Sequence, residues 1–447
     1  MKKQVVVLGG GPAGIIAAGC GKKSNPDKEF TLIRSEETGL VPCGIPYIFG
    51  TLESVDANVM GVAPIQKLGV EVMQAEVTAI DFQNKSLSLQ NGESVEYEKL
   101  VLATGSSPIL PKMQGIDLPG VYTVKKNKIY MEQVYAAAKK AQKVVIVGGG
   151  FIGIETGDEM RKMGKDVTLV EALPNLLEAA YDNEFGKMAQ ETLQEHGLKV
   201  RTGILVEEIL GSDKVQGVKL RDGSTVPADM VIFAIGYRPN VELVKDSGIH
   251  MGFSNGIWVD EYMRTSIPDV FAAGDCVEHK DFFTRKPSRL MLASTAVFDA
   301  RIAGSNLYGL KVVRENHGNL GVFSTSIEGL TLAAAGMNER TAREEGFEIV
   351  VGEAASVDRH PGTLPDKSAL KVKLIFSLES GLLLGGQLAG GKSVGEMVNI
   401  LGLGLQKDVT ANDLVTMQIG THPLLTSAPT TYPIVLAAES AIRQGRK

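Results

Sequence analysis

A short apolar run ending in a glycine-rich turn occurs twice in this chain, and that repeat limits the fold more than any other feature. Residues 4–8 lead into Gly9-Gly10-Gly11-Pro12-Ala13-Gly14 and an Ala/Ile-rich stretch to about Lys22. Residues 144–147 lead into Gly148-Gly149-Gly150-Phe151-Ile152-Gly153, with Glu155 following. Strand, glycine turn and helix in that order set backbone amides and a helix N-terminus against a pyrophosphate. The second glycine lets the phosphates come close, and the third lets the helix pack on the strand. Two such units predict two dinucleotides, or one cofactor and one nucleotide substrate. Six glycines at matching offsets would be a costly choice for packing alone, because each loses extra backbone entropy on folding.

Each unit should bind the adenosine ribose through an acid at the end of its next strand. In the second unit residues 167–170 end in Glu171 at that spacing, and a carboxylate there repels a 2′-phosphate, which favours NADH over NADPH. In the first unit residues 30–33 end instead in Arg34 and Ser35, leaving Glu36 or Glu37 as the substitute acid. Residues 100–105 close the first unit with Ala103-Thr104-Gly105, and residues 231–236 close the second at Gly236. The stretch 265–275 reads as a strand delivering Asp275 beside Gly274, an arrangement suited to a ribityl hydroxyl. A helix starting near Ala293 and Ser294 would aim its N-terminus at the electron-rich edge of a flavin.

Cys43 lies just beyond the second strand of the first unit, in Pro42-Cys43-Gly44-Ile45-Pro46-Tyr47. A helix beginning at Cys43 would favour thiolate over thiol and make a nucleophile. The other reading of a lone cysteine is a small buried hydrophobe. The remaining cysteines, Cys20 and Cys276, form no Cys-x-x-Cys pair, so neither a disulfide framework nor an adjacent dithiol is expected. Cys276-x-x-His279 is half of a zinc spacing with no second half, and no metal site is expected.

With 447 residues the chain exceeds one core, and 44% apolar with 22% charged residues describe a soluble globular protein. A net charge of −6 argues against nucleic acid or an anionic membrane as the main partner. The compartment expected is reducing, hence cytoplasmic. Residues 70–89 alternate as a β-meander would, a helix is expected over 126–140, and from about 319 the pattern changes to β segments with helices around 392–405 and from 434. The fold expected is α/β: two Rossmann-like three-layer nucleotide-binding domains plus a C-terminal α+β dimerisation domain, with an interface typical of a two-fold dimer.

Taken in order, these motifs give the chain a resemblance over its whole length to the flavoprotein pyridine-nucleotide disulfide oxidoreductases. The lone Cys43 followed by Gly-Ile-Pro-Tyr resembles the single-cysteine branch, which holds coenzyme A disulfide reductases, NADH-dependent persulfide reductases, NADH oxidases and NADH peroxidases. The resemblance implies FAD on the first glycines and Asp275, NADH on Glu171, and Glu155 by the flavin and nicotinamide. It implies an FAD domain at 1–112 and 250–318, an NAD(H) domain at 113–249 and a dimerisation domain at 319–447. It also implies a homodimer in which the C-terminal module of one subunit reaches the other's active site. The expected reaction carries electrons from NADH to a persulfide, polysulfide or small disulfide through Cys43, with coenzyme A a possible substrate or bound thiol. His422 of the partner, or Tyr47, would protonate the leaving thiolate. The alternatives are an oxidase or peroxidase cycling Cys43 through sulfenic acid, or a flavin electron carrier in which Cys43 only packs. Two departures stand out. Coenzyme A disulfide reductases carry Ser-Phe-x-Asn before the cysteine, where this chain has Gly39-Leu40-Val41-Pro42. Relatives also carry Tyr-Ala-Pro-Pro near the C-terminus, where this chain has a stretch beginning Thr421-His422-Pro423.

Overall fold

The computed structural model describes residues 1–314 and 318–445. They divide into two compact units, one formed by 1–111, 123–140 and 235–319, the other by 112–122, 141–234 and 320 onward.

In the first unit, β1 (Lys2–Leu8) ends in the glycine turn and α1 (Pro12–Ser24) follows, with Pro12 at the first helical position where its missing N–H is harmless. β1 pairs parallel with β2 (Phe30–Arg34) on one side and with Ser94–Leu102 on the other. Val5, Val6 and Val7 are all fully buried, the continuous apolar run that a strand covered on both faces requires. The strand Ser94–Leu102 divides its length between two partners: its first residues pair antiparallel with Ser86–Leu89, and Leu100 to Leu102 pair parallel with Val270–Ala272. The meander expected over 70–89 begins later than the alternation indicates. Val70–Gln74 lies at the opposite edge, parallel to β2, and only Val77–Asp81 and Ser86–Leu89 form the antiparallel arm. α1 packs on the helix Ala293–Ser305, and a methyl group at Gly304 would overlap the Ala17 carbonyl, so small residues set how near the two helices come. The helix Lys128–Lys140 belongs to this unit: the Tyr135 hydroxyl donates to Glu53 O at 2.6 Å and its ring packs on Phe49.

In the second unit, β3 (Lys143–Val147), α2 (Phe151–Lys162) and β4 (Asp166–Val170) repeat the same order, and Met230–Phe233, β3, β4 and Lys199–Arg201 run parallel. The C-terminal part is a five-stranded antiparallel sheet that starts with β5 (Val322–Ile327) at its edge, then Leu330–Gly336, Leu383–Gly390, Ala369–Ser377 and Ile349–Val357. The helices Val394–Gln406 and Pro433–Gly445 cover it. No helix among the described residues is long and apolar enough to cross a membrane.

Candidate active site

The first unit gathers its glycine motifs into one cradle. A methyl group at Gly14 would overlap the Gly9 carbonyl oxygen, so the first turn of α1 sits directly on the end of β1. Gly11 and Gly105 have open space where a side chain would project. Gly274, with φ +80°, brings its backbone to within van der Waals range of Ala13 and of Ala296 in the helix Ala293–Ser305. Residues far apart in sequence therefore share one concavity, and it is lined by two helix N-termini that include Pro12, Ala13, Ala293 and Ser294. Thr104 is fixed beside it by donating to Asn240 O at 2.7 Å, while Asn240 Nδ2 donates back to Thr104 O at 2.9 Å.

Asp275 is mostly buried at the edge of this cradle and accepts from Ser106 Oγ at 2.7 Å and Lys126 Nζ at 2.7 Å. Neither partner carries a motif that sequence reasoning recognises. At the end of β2, Arg34 lies over Gly10, donates to the Glu37 carbonyl, and buries an Nε with no protein partner among the described residues. A buried donor of that kind needs an acceptor, and a ribose or phosphate oxygen supplies one where the sequence lacks the usual acid. Glu36 accepts from Asn127 Nδ2 at 2.8 Å instead, and burial, ahead of that bond and the Arg34 charge, raises its carboxyl above the ordinary value. Ser35 is exposed next to it.

The second cradle has the same build. Gly153 abuts the Gly148 carbonyl, Gly150 is open, and Ile152 lies in the first turn of α2. Glu171 accepts from the Gly149 and Leu173 amides, the latter at 2.6 Å, so its carboxylate is held against the glycine turn where a ribose would lie. Gly236, with φ +111°, falls in the other unit, where its carbonyl accepts from Ile109 N–H at 2.9 Å. On α2, Glu155 accepts from Thr325 Oγ1 at 2.7 Å. Burial pushes its carboxyl up to about 7 against the lowering effect of Thr325, with the Glu159 charge adding to the rise. Phe151, Tyr181 and Phe323 pack together beside it, Phe151 and Phe323 with ring centroids 5.1 Å apart.

The segment around Cys43 departs from expectation. No α-helix begins there; the chain makes two single 3₁₀ turns, Pro42–Gly44 and Pro46–Ile48. Pro46 has no N–H to give the Pro42 carbonyl, so Ile45 donates to it instead at 3.3 Å and the tighter turn results. Helix-dipole activation of the thiol therefore lacks its helix. What holds Cys43 is Asn58: Val41 N–H donates to Asn58 O at 3.0 Å, and Asn58 Nδ2 donates to Val41 O at 3.0 Å. Gly44 leaves no room for a side chain against Asn58 Oδ1. The result is an exposed Cys43 thiol on a turn fixed to the first unit, with Tyr47 half-buried one turn on. Cys276 is fully buried, its thiol donating toward Leu102 O at 3.5 Å, and burial raises its pKa. Cys20 is partly exposed on α1. Lys22, near the end of α1, donates to the Pro26 and Lys28 carbonyls at 2.9 Å and 2.7 Å. His422 is exposed in the second unit, its Nδ1 accepting from Leu424 N–H at 3.3 Å, which leaves the proton on Nε2.

The profile of the pyridine nucleotide-disulphide oxidoreductases matches residues 3–300, and that of their dimerisation domain matches residues 322–433. The chain belongs to the pyridine nucleotide-disulphide oxidoreductases. Within that family it is 32% identical to an NADH oxidase of Methanocaldococcus jannaschii over 99% of each chain. It is 31% identical to a CoA-dependent NAD(P)H sulfur oxidoreductase of Pyrococcus abyssi over 98% of each. Its backbone superposes with a TM-score of 0.92 and 30% identity on a NAD-dependent persulfide reductase from A. fulgidus, covering 99% of this chain and 83% of that one. As a member of this oxidoreductase family the protein is an enzyme, and FAD and a nicotinamide dinucleotide are the cofactors the family implies. The two open glycine cradles, the orphaned Arg34 Nε and the clamped Glu171 suit two dinucleotides.

Proposed function

We propose that this protein is a cytoplasmic, homodimeric reductase that uses NADH to cleave a persulfide, polysulfide or small coenzyme A-type disulfide through Cys43. The observation carrying this reading is the exposed thiol of Cys43 on a rigid turn of the unit that holds the first cradle. The other two cysteines are a buried packing residue and a helix residue. Gly9, Gly11, Gly14, Arg34, Thr104, Gly105 and Asp275 hold FAD in this scheme; Gly150, Gly153, Glu155 and Glu171 hold NADH. FAD, when bound, supplies the two-electron chemistry that links a hydride donor to sulfur.

The residues' part begins with the Cys43 thiolate attacking one sulfur of R–S–S–R′, forming Cys43–S–S–R and releasing R′–S⁻. Two electrons and a proton then cleave that bond and return Cys43–S⁻ with R–SH. Protonation of the leaving thiolate falls to a group beside the turn, Tyr47 in the same chain or His422 of a second copy. Loss of the polar pair before Cys43 favours persulfides and small disulfides over coenzyme A disulfide itself. Likeness to the M. jannaschii NADH oxidase favours a second reading, in which Cys43 cycles through sulfenic acid with dioxygen or peroxide as acceptor.

Steady-state NADH consumption decides between them. Turnover should rise strongly with a persulfide or coenzyme A disulfide and stay low with dioxygen alone; equal or faster turnover with dioxygen supports the second reading. In Cys43→Ser, sulfur reduction should vanish while NADH still bleaches the flavin. Unchanged turnover in that variant defeats both readings.

A further inference from the structure

Glu155 is joined to the C-terminal module of its own chain. β5 turns Phe323, Thr325 and Ile327 inward and Ser324 and Ser326 outward, and the inward residues meet α2. Thr325, 4% exposed, donates to Glu155 Oε1 at 2.7 Å. Two residues back, Phe323 lies edge-on to Phe151, the first residue after the open Gly150, and also to Tyr181. Tyr181 is 1% exposed, and its hydroxyl has no hydrogen-bond partner among the described residues. A buried hydroxyl packed on Phe151, near a mostly buried carboxyl on the helix that follows the glycine turn, offers both a donor and an acceptor, the pair a carboxamide needs.

We propose that Thr325 is a positioning residue for nicotinamide binding: it holds the Glu155 carboxyl in one orientation and favours its ionised form, which accepts from the carboxamide NH₂. The inference rests on Glu155 being a neighbour of the nicotinamide, and adds that β5 of the C-terminal module sets its state. The groups facing this carboxyl are Thr325 from β5, Glu159 one turn along α2 and Tyr181 from the segment leading into Asn183–Glu195. Beneath α2, the strands β3 and β4 are buried from Val144 to Val147 and from Val167 to Val170. Glu159 is itself paired with Lys162 at 3.0 Å. Burial and the Glu159 charge oppose ionisation, and the Thr325 hydroxyl opposes them, leaving the group poised at about 7.

Calorimetric titration of the FAD-loaded protein with unreactive NAD⁺, across the pH range around neutrality, tests this without turnover. The wild-type affinity should change near pH 7, where Glu155 titrates. Thr325→Val, a β-branched replacement of nearly the same shape, should move that midpoint up by about one pH unit, as loss of a hydrogen bond to a carboxylate does. Thr325→Ser should bring it back, and Glu155→Gln should abolish the transition with or without Thr325. A Thr325→Val midpoint equal to wild type overturns the role of Thr325 and leaves Glu155 in place. A transition that survives in Glu155→Gln overturns the reading of Glu155 as well. Should the valine variant fail to fold, Thr325→Ala carries the same test.

Discussion

Cys43 is legible in the sequence as the cysteine just beyond the second strand of the first nucleotide unit, yet its setting is not. Prolines at 42 and 46 each suit a helix start, and taken singly they support a helix; together they deny the one hydrogen bond that an α-turn across them needs. The residue that holds the turn, Asn58, lies outside every motif and is found only through its paired bonds to Val41. Gly44→Ala tests this arrangement, because its methyl group would overlap Asn58 Oδ1 and push Cys43 aside. Sulfur turnover should fall on the order of a hundredfold, as small displacements of a reacting group do, while FAD content and flavin reduction by NADH stay normal. Normal turnover in this variant would show that the turn tolerates displacement. Arg34 has the same history: the sequence shows that an acid is missing, and only packing over Gly10 shows what the arginine covers.

The helix Ala293–Ser305 aims its N-terminus into the first cradle and is fastened from outside it. Asp299 on this helix, fully buried, accepts from His279 Nε2 at 2.8 Å, and His279 Nδ1 donates to Leu290 O at 3.1 Å just before the helix. With oxygen atoms on both sides the imidazole carries both protons. Burial works against that charge, but the bond and charge of Asp299 prevail and raise the pKa above 6.5. The pair's stabilisation is thus complete below the ordinary histidine value and is lost as pH rises through the raised value of the folded protein. Asp299→Ala should cost about 3–5 kcal/mol by stranding a buried cation, with a lower unfolding temperature and looser FAD retention. The loss should be larger at mildly acidic pH than at alkaline pH; a cost independent of pH would show that the histidine is neutral. From the sequence, His279 reads only as half of a metal spacing, because its partner lies in a different element.

At the scale of the whole molecule, the C-terminal module is not a separate body from the nucleotide unit before it. Lys373, 5% exposed, joins Asp182, Glu184 and Glu339 at 2.9, 2.8 and 2.8 Å, and Gln387 closes the network on Asp182 at 2.6 Å. The buried Lys373 amine and Asp182 carboxylate stay favourable only while paired, and with the half-buried Glu184 this network ties the helix Asn183–Glu195 to the module. The family's dimerisation profile over residues 322–433 and the exposed His422 lead to a test of assembly. If His422 serves the Cys43 of a second copy, mixing inactive Cys43→Ser with inactive His422→Phe should restore about a quarter of wild-type activity, since half the random dimers are mixed and each has one intact site. No recovery in a confirmed mixed dimer would place the proton donor elsewhere, with Tyr47 the remaining group. The sequence by itself determined the two nucleotide units and their order, and it marked Glu171 and Cys43 as the candidates for ribose binding and thiol chemistry. These depend on local patterns, a strand, a glycine turn and a helix, whose geometry follows from backbone sterics within a few residues. Only the tertiary structure decided what surrounds each group: Lys126 and Ser106 on Asp275, Asn58 behind Cys43, Thr325 on Glu155. Those partners come from distant segments and bear no periodic mark, because burial and hydrogen-bond geometry arise when elements pack and are written in no single stretch of chain.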